Sequence, residues 1–159
     1  MQLYIKQKVF SWRGRFAVKD TLGDDRWYAQ GEVFSWVRKL NVYAAQGEPA
    51  ATVYRKRWTF LTQEYYIEAG GQEYRLVKEF TFGRPRFHLV GLPWHMTGNF
   101  WAHEYSLTDG ERLIMRISKR LISWGDTYEL EIPDPRHELL CLCICLAVDC
   151  MQADANNHA

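Results

Sequence analysis

Residues 134–152 read DPRHELLCLCICLAVDCMQ, and the ten residues from Leu139 to Val148 are apolar without interruption. Such a short run does not by itself distinguish a buried strand from a buried helix. Its start favours a helix, because Asp134 can act as the N-cap and Pro135 suits the first helical position. A helix that is apolar on every side has no face to expose to water. The rest of the chain therefore has to enclose it.

The sequence before this helix contains six similar units, each centred on a large apolar anchor residue. Each unit is interpreted as two strands, and the second strand alternates apolar and polar residues as expected for a half-buried strand. The anchors are Phe10, Phe34, Trp58, Phe80, Phe100 and Leu121. The inward-facing residues are predicted to be Phe16/Val18, Leu40/Val42, Tyr65/Ile67, Phe87/Leu89, Tyr105/Leu107 and Tyr128/Leu130/Ile132.

Turn residues separate these strands, and six paired units predict twelve antiparallel strands. The predicted turns are at Gly23-Asp24, Gly47-Glu48-Pro49, Gly70-Gly71, Gly91-Leu92-Pro93, Asp109-Gly110 and Gly125-Asp126. Closure into a barrel removes the two exposed edges. A barrel of this size has a lumen wider than its own side chains fill, and a helix about 10–12 Å across suits that space. We therefore predict a twelve-stranded closed antiparallel β barrel around a C-terminal hydrophobic α-helix.

A chain of 159 residues is expected to form a single domain, here residues 1–152, followed by a flexible tail at 153–159. The formal net charge of +1 excludes a strong whole-molecule field for nucleic acid or an anionic membrane, but not a local basic patch, and nucleic acid is not expected as a partner. The apolar run is too short to be a transmembrane segment, which needs about 20 residues. The start MQLYIKQK has no apolar signal-peptide core. We expect a cytoplasmic protein, at most peripheral to a membrane.

All four cysteines, Cys141, Cys143, Cys145 and Cys150, lie in the apolar run. Free cysteine behaves as a small buried hydrophobe, which fits a reducing compartment. A metal site, redox use and lipid attachment are the alternatives. Steps of two along a helix point to nearly opposite sides, so the spacing does not favour a metal site. No metal and no cofactor are predicted.

The stretches YIKQKVFSWRGRFAVKD, KEFTFGRPRF, GNFWAHEYSL, SKRLISWGDTYELEI and ELLCLCICLAVDC are similar to the LURP-one-related family of the tubby C-terminal-like superfamily. The resemblance covers about residues 2 to 152. It implies a twelve-stranded barrel threaded by a C-terminal helix. It does not imply an enzyme, since members mostly have no assigned function. The tubby relatives bind phosphoinositide head groups through basic side chains, which makes an anionic phospholipid a candidate partner here.

Basic residues recur beside the anchors and provide the candidate binding site. Two basic residues spaced by two on a strand project from one face and can contact one phosphate. The chosen ligand-binding residues are Lys6, Lys8, Arg55 and Arg57. Lys6 and Lys8, with Gly14, Phe16 and Asp20, fall close to the tubby pattern, while Arg55 and Arg57 are a competing match. Solvated charges on the outer face of the barrel are the alternative interpretation.

Two further functions remain as alternatives. The first is a protein-interaction domain without a lipid role, with Trp12, Trp36 and Trp94 as exposed anchors. The second is a metal-dependent hydrolase in which His95 and His103 meet across neighbouring strands, near His88 and Glu104. For this histidine group the sequence shows no third ligand at a recognisable spacing and no catalytic motif. Asp149, an acid near the C-terminal end of the helix, is expected to be hydrogen bonded at the mouth of the barrel.

Overall fold

A computed structural model of the chain describes residues 1–6, 15–32, 38–55, 63–79, 85–100, 102–122 and 125–157. Within these ranges the chain forms twelve β-strands followed by a short 3₁₀ turn and one α-helix. The strands are β1 (Gln2–Lys6), β2 (Arg15–Lys19), β3 (Asp25–Gly31), β4 (Lys39–Ala44), β5 (Pro49–Tyr54), β6 (Gln63–Ala69), β7 (Gln72–Glu79), β8 (Arg86–Val90), β9 (Trp94–Asn99), β10 (Glu104–Asp109), β11 (Arg112–Ile122) and β12 (Gly125–Glu131). The 3₁₀ turn is Pro135–His137, and the helix α1 is Glu138–Asn157.

Each strand pairs with its sequence neighbour, and β12 pairs with β1, so the sheet closes into an antiparallel barrel. Among the described strands, closure gives every strand a hydrogen-bonded neighbour on both sides. The apolar side of each strand faces inward, as the alternation predicted: Val18, Val42, Ile67, Leu89, Leu107 and Leu130 are all buried. The predicted fold is confirmed.

Helix α1 occupies the lumen and is buried on all sides from Cys141 to Met151. It packs against β5 and β6 among its neighbours. Asp134 and Pro135 open the 3₁₀ turn that leads into the helix, with the Asp134 carboxylate accepting a hydrogen bond from the Arg136 backbone N–H at 3.0 Å, and α1 itself begins later than predicted, at Glu138. The helix extends past the predicted end at Gln152 and continues to Asn157. The physical reason is Asp154, whose buried carboxylate is held by side chains of the barrel.

Five of the predicted turns connect consecutive strands, from Gly23-Asp24 through Asp109-Gly110. The sixth prediction was wrong, because Gly125 and Asp126 are the first residues of β12 and pair with Ile122 and Leu121. Of the anchors, Phe100 is buried against Phe87 and Tyr105, and Leu121 lies in β11. The remaining anchors lie outside the described residues: Phe10, Phe34, Trp58 and Phe80.

Candidate functional site

The two ends of the barrel differ in character. Consecutive antiparallel strands turn alternately at opposite ends, so we call the end with the turns after β2, β4, β6, β8 and β10 the turn rim. Helix α1 enters the barrel there, after β12. The opposite end, where β1, β3, β5, β7, β9 and β11 finish, is the loop rim. The C-terminal half of α1 lies at the loop rim, since it contacts residues at the ends of β5 and β9.

Charge is segregated between these rims. At the turn rim the described acidic residues clearly outnumber the basic ones: Asp20, Asp24, Asp25, Glu48, Glu68, Glu73, Asp109, Glu111, Glu131, Asp134 and Glu138 against Lys19, Arg26, Arg112, Arg116 and Arg136. At the loop rim the described basic residues are Lys6, Arg15, Arg38, Lys39, Arg55, Lys78, Arg86, Lys119 and Arg120, and the acidic ones are Glu32, Glu64, Glu79, Glu104, Asp126, Glu129, Asp149 and Asp154. Of these loop-rim acids, Asp149 and Asp154 are buried. A net charge of +1 therefore conceals an electrostatic asymmetry along the barrel axis.

The structure places the sequence-predicted binding residues as follows. Lys6 is exposed at the end of β1, opposite Thr127 of β12. Arg55 directly follows β5 and reaches inward to the helix. Lys8 and Arg57 lie outside the described residues. Lys6 and Arg55 share the loop rim, but β2, β3 and β4 separate their strands, so they are not one local pair.

A cross-strand pair that sequence spacing did not indicate is formed by Arg38 and Arg55. The Arg55 N–H donates to the Arg38 carbonyl at 3.1 Å, so the two residues face each other where the β4–β5 ladder ends. Both guanidinium groups pair with Asp154 of α1, Arg55 through Nη1 and Oδ2 at 2.7 Å. The register of β4 and β5 would have identified the two arginines as neighbours, but nothing in the sequence assigns Asp154 to them.

The Asp154 carboxylate is almost completely buried, at 2% side-chain exposure. Besides the two arginines, the Tyr65 hydroxyl donates to Oδ2 at 2.8 Å. Burial raises the pKa of this tyrosine well above its ordinary value, so the hydroxyl stays a donor at any physiological pH. The paired charges and the hydrogen bond are what allow a carboxylate at this depth, because an isolated buried charge is strongly disfavoured.

A second buried acid holds the same half of the helix. The Asp149 carboxylate lies 3.2 Å from Nδ1 of His103, whose ring is tilted on Tyr128 at 4.5 Å between centroids. Burial raises the pKa of Asp149, and the neighbouring His103 side chain partly opposes that shift. His103 has a positive φ of 52°, which turns its side chain onto the helix just before β10. Asp149 therefore lies buried at ion-pair distance from His103, but neither carboxylate oxygen has a hydrogen-bond partner among the described residues, so the expected hydrogen bond is not established.

The helix start is anchored at the turn rim by a third acid. Glu138 accepts hydrogen bonds from Nε and Nη2 of Arg26, at 2.8 and 3.0 Å, and from Nε1 of Trp27 at 2.8 Å. Trp94, predicted as an exposed protein-interaction anchor, is instead buried edge-on to the His137 ring. That prediction was wrong because the indole closes the barrel beside the helix entry. Trp12 and Trp36 lie outside the described residues.

The histidine site proposed for a hydrolase does not assemble. His95 of β9 lies opposite Thr108 and His88, whereas His103 precedes β10 near the other end of the β9–β10 pair. His88 pairs with Glu79 at 3.0 Å. Among the described residues no group of three or more His, Cys, Asp or Glu side chains is arranged to hold a metal ion.

The four cysteines are free and buried along α1. Desolvation raises the pKa of the Cys143 thiol to about 12, so it is not a nucleophile at neutral pH. Within the described part of the chain, no helix is long and apolar enough to cross a membrane.

Comparison with known proteins agrees with this architecture. The family model described as LURP-one-related matches residues 1–149. The uncharacterised protein YxjI of Bacillus subtilis is 33% identical over 150 residues, which cover 94% of this chain and 92% of that protein. A crystal structure of an Arabidopsis thaliana protein superposes with a TM-score of 0.62 at 14% identity, over 93% of this chain and 89% of that one, and so shares the fold. The chain thus belongs to the LURP-one-related family.

Proposed function

We propose that the protein is a non-enzymatic binding domain that recognises anionic phospholipid head groups with its loop rim. The observation that carries the proposal is the segregation of charge between the two rims. An anionic surface attracts the loop rim and repels the acidic turn rim, so the barrel docks end-on and peripherally. The proposal needs no large net charge, because the bilayer field decays within a Debye length and acts mainly on the nearest rim.

The sequence of the remaining residues strengthens this interpretation. The stretches outside the described residues contain no Asp or Glu, and they contain five basic residues: Lys8, Arg13, Lys56, Arg57 and Arg84. The same stretches include Trp12, Trp36, Trp58, Trp101 and Trp124. Tryptophan and basic residues together are the composition that favours a membrane–water interface. Four buried free thiols are in keeping with a reducing, cytoplasmic environment.

Vesicle flotation tests the proposal. Wild-type protein should float with phosphatidylcholine vesicles that contain phosphatidylinositol bisphosphate, and not with phosphatidylcholine alone. Each cation near an anionic surface is worth about 1 kcal/mol, so the double change Lys6→Ala and Lys8→Ala should weaken binding roughly 30-fold. Raising the salt from about 50 to about 300 mM should weaken the remaining binding, because the Debye length falls from about 14 to about 6 Å.

The matched control is Arg112→Ala at the turn rim, an exposed basic residue in a surface ion pair with Asp134. It should leave vesicle binding unchanged and keep the wild-type melting temperature, because exposed charges contribute little to stability. The Lys6 and Lys8 double variant is likewise expected to keep the wild-type melting temperature. Wild-type protein that ignores the anionic vesicles even at low salt would make the proposal wrong. The protein-interaction hypothesis would then be the better one.

A further inference from the structure

Arg38 and Arg55 resemble an anion-binding site, and the anion that they hold is the carboxylate of Asp154 in the same chain. Two guanidinium groups from adjacent strand ends converge on a single carboxylate. Their side chains are 30% and 21% exposed, whereas the carboxylate is 2% exposed. Part of each arginine side chain is therefore open to solvent, whereas the Asp154 carboxylate and the Arg38 Nη1 that faces it are buried.

A phosphate group competes effectively for such a pair. It offers more negative charge and more acceptor oxygens than a carboxylate, and the planar guanidinium group is suited to bidentate contacts with it. The spacing is already set, because the backbone hydrogen bond between Arg55 and Arg38 fixes the two strand ends relative to each other. The β4–β5 ladder therefore holds the two arginines in position before an anion binds, which reduces the entropy lost on binding.

We propose that Arg38 and Arg55 form a phosphate-binding site in which Asp154 is an internal, displaceable counter-ion. The proposal deepens the function proposed above, since it names one site on the loop rim and the regulation of that site. When a phosphate occupies the arginines, Asp154 retains the Tyr65 hydroxyl but loses its positive partners. A buried carboxylate without a counter-charge is unstable, so the last turn of α1 moves toward solvent.

The displacement is confined to the end of the helix. His103 still holds Asp149, and the Gln152 side-chain amide donates to the Phe100 carbonyl at 2.6 Å. These contacts retain α1 in the lumen up to Gln152, while residues 153–157 are released. Anion binding and helix-end release are coupled reciprocally, so weakening the Asp154 contact has to strengthen anion binding by the same factor.

The test uses full-length protein, with inorganic pyrophosphate as the soluble probe and the phosphatidylinositol bisphosphate vesicles as the lipid probe. Asp154→Asn keeps the shape of the side chain but removes the competing charge, and it should bind both probes on the order of tenfold more tightly than wild type. Adding Arg38→Gln to this variant should abolish the gain. Glu138→Gln is the matched control, because it removes the other arginine-paired buried acid at the opposite rim; it should bind as wild type does.

A measurement on the unmodified protein covers the case in which Asp154→Asn does not fold. Saturating pyrophosphate should increase amide hydrogen exchange at residues 153–157 of the wild-type helix and leave exchange at residues 141–150 unchanged. Unchanged exchange at residues 153–157 overturns the proposal, as does equal pyrophosphate affinity for folded Asp154→Asn and wild type.

The two proposals fail separately. If Asp154→Asn gains affinity for pyrophosphate but neither protein binds vesicles, the site takes a soluble phosphate and the lipid function is wrong. If wild type binds vesicles and Asp154→Asn binds both probes no better, the lipid function stands and the displaceable counter-ion is wrong.

Discussion

Replacing Leu142 tests the central helix directly, because this side chain is fully buried inside the barrel. Leu142→Ala removes apolar contacts and leaves a cavity that the closed barrel cannot fill by collapsing. Buried leucine-to-alanine changes of this kind cost about 3–5 kcal/mol. For a chain of this size each kcal/mol lowers the melting temperature by about 2–4 °C, so we expect a fall of about 6–20 °C.

Leu142→Asp is more severe, since it adds an unpaired charge to an apolar lumen at a further cost of several kcal/mol. Total stabilities of about 5–15 kcal/mol leave little after such a loss, and this variant should not fold. Leu22 is the matched control position, because it lies in the β2–β3 turn with 84% of its surface exposed. Leu22→Ala and Leu22→Asp should change the free energy of unfolding by no more than about 0.5 kcal/mol.

Thermal and urea unfolding, followed by circular dichroism, measure these differences. The enclosed-helix arrangement is refuted if Leu142→Ala and Leu22→Ala shift the melting temperature equally. It is also refuted if Leu142→Asp is a monomer with dispersed, sharp amide resonances. A loss of stability at Leu142 alone would leave the arrangement standing.

Three further substitutions probe the helix anchors and the barrel wall. Asp149→Asn should gain stability relative to wild type as the pH rises from about 4. Burial raises the pKa of Asp149 in the folded protein, so its contribution to wild-type stability is fully present below the unfolded-state pKa and is lost as the folded carboxyl deprotonates. Melting temperatures of the two proteins that differ by a constant from about pH 4 to 7 would contradict this. Gly98→Ala should be much more destabilising than Gly71→Ala, because a Cβ at position 98 would lie 2.5 Å from the Glu104 carbonyl oxygen. A Cβ at position 71 meets open space, so Gly71→Ala carries only the left-handed φ cost of about 1–2 kcal/mol. Equal urea midpoints for the two variants would contradict this prediction. Glu138→Gln should cost about 1–3 kcal/mol through the weakened Arg26 contact, and a melting temperature equal to wild type would show that this anchor is dispensable.

The order of strands and their inward faces could be predicted from sequence because side-chain alternation has a fixed period of two. Val18, Ile67 and Leu107 were assigned to the interior on that basis, and all are buried. The apolar run from Leu139 to Val148 predicted an enclosure because a helix formed by these residues has no polar face to expose to water. Closure followed, because antiparallel strands with a common apolar face and a large enclosed element leave few other solutions.

The end of the helix illustrates what local sequence does not contain. Residues after Gln152 are polar and predict a tail, yet the helix continues to Asn157. The difference arises from Asp154, which is stabilised by an arginine 99 residues away in the chain. Polarity alone suggests exposure, and only a partner brought close by the fold reverses that expectation.

The candidate site likewise depends on sequence for some of its features and on tertiary structure for others. The sequence by itself determined that basic residues recur beside the anchors of the repeats, but not at which end of the barrel they lie. The sequence displays basic pairs two residues apart along a strand, and such pairs project from one face. The pair that forms instead joins Arg38 to Arg55 across two strands, and Asp154 from the helix binds both. Only the tertiary structure decided that pairing, because strand register and helix depth are properties of the closed barrel and not of any stretch of its sequence.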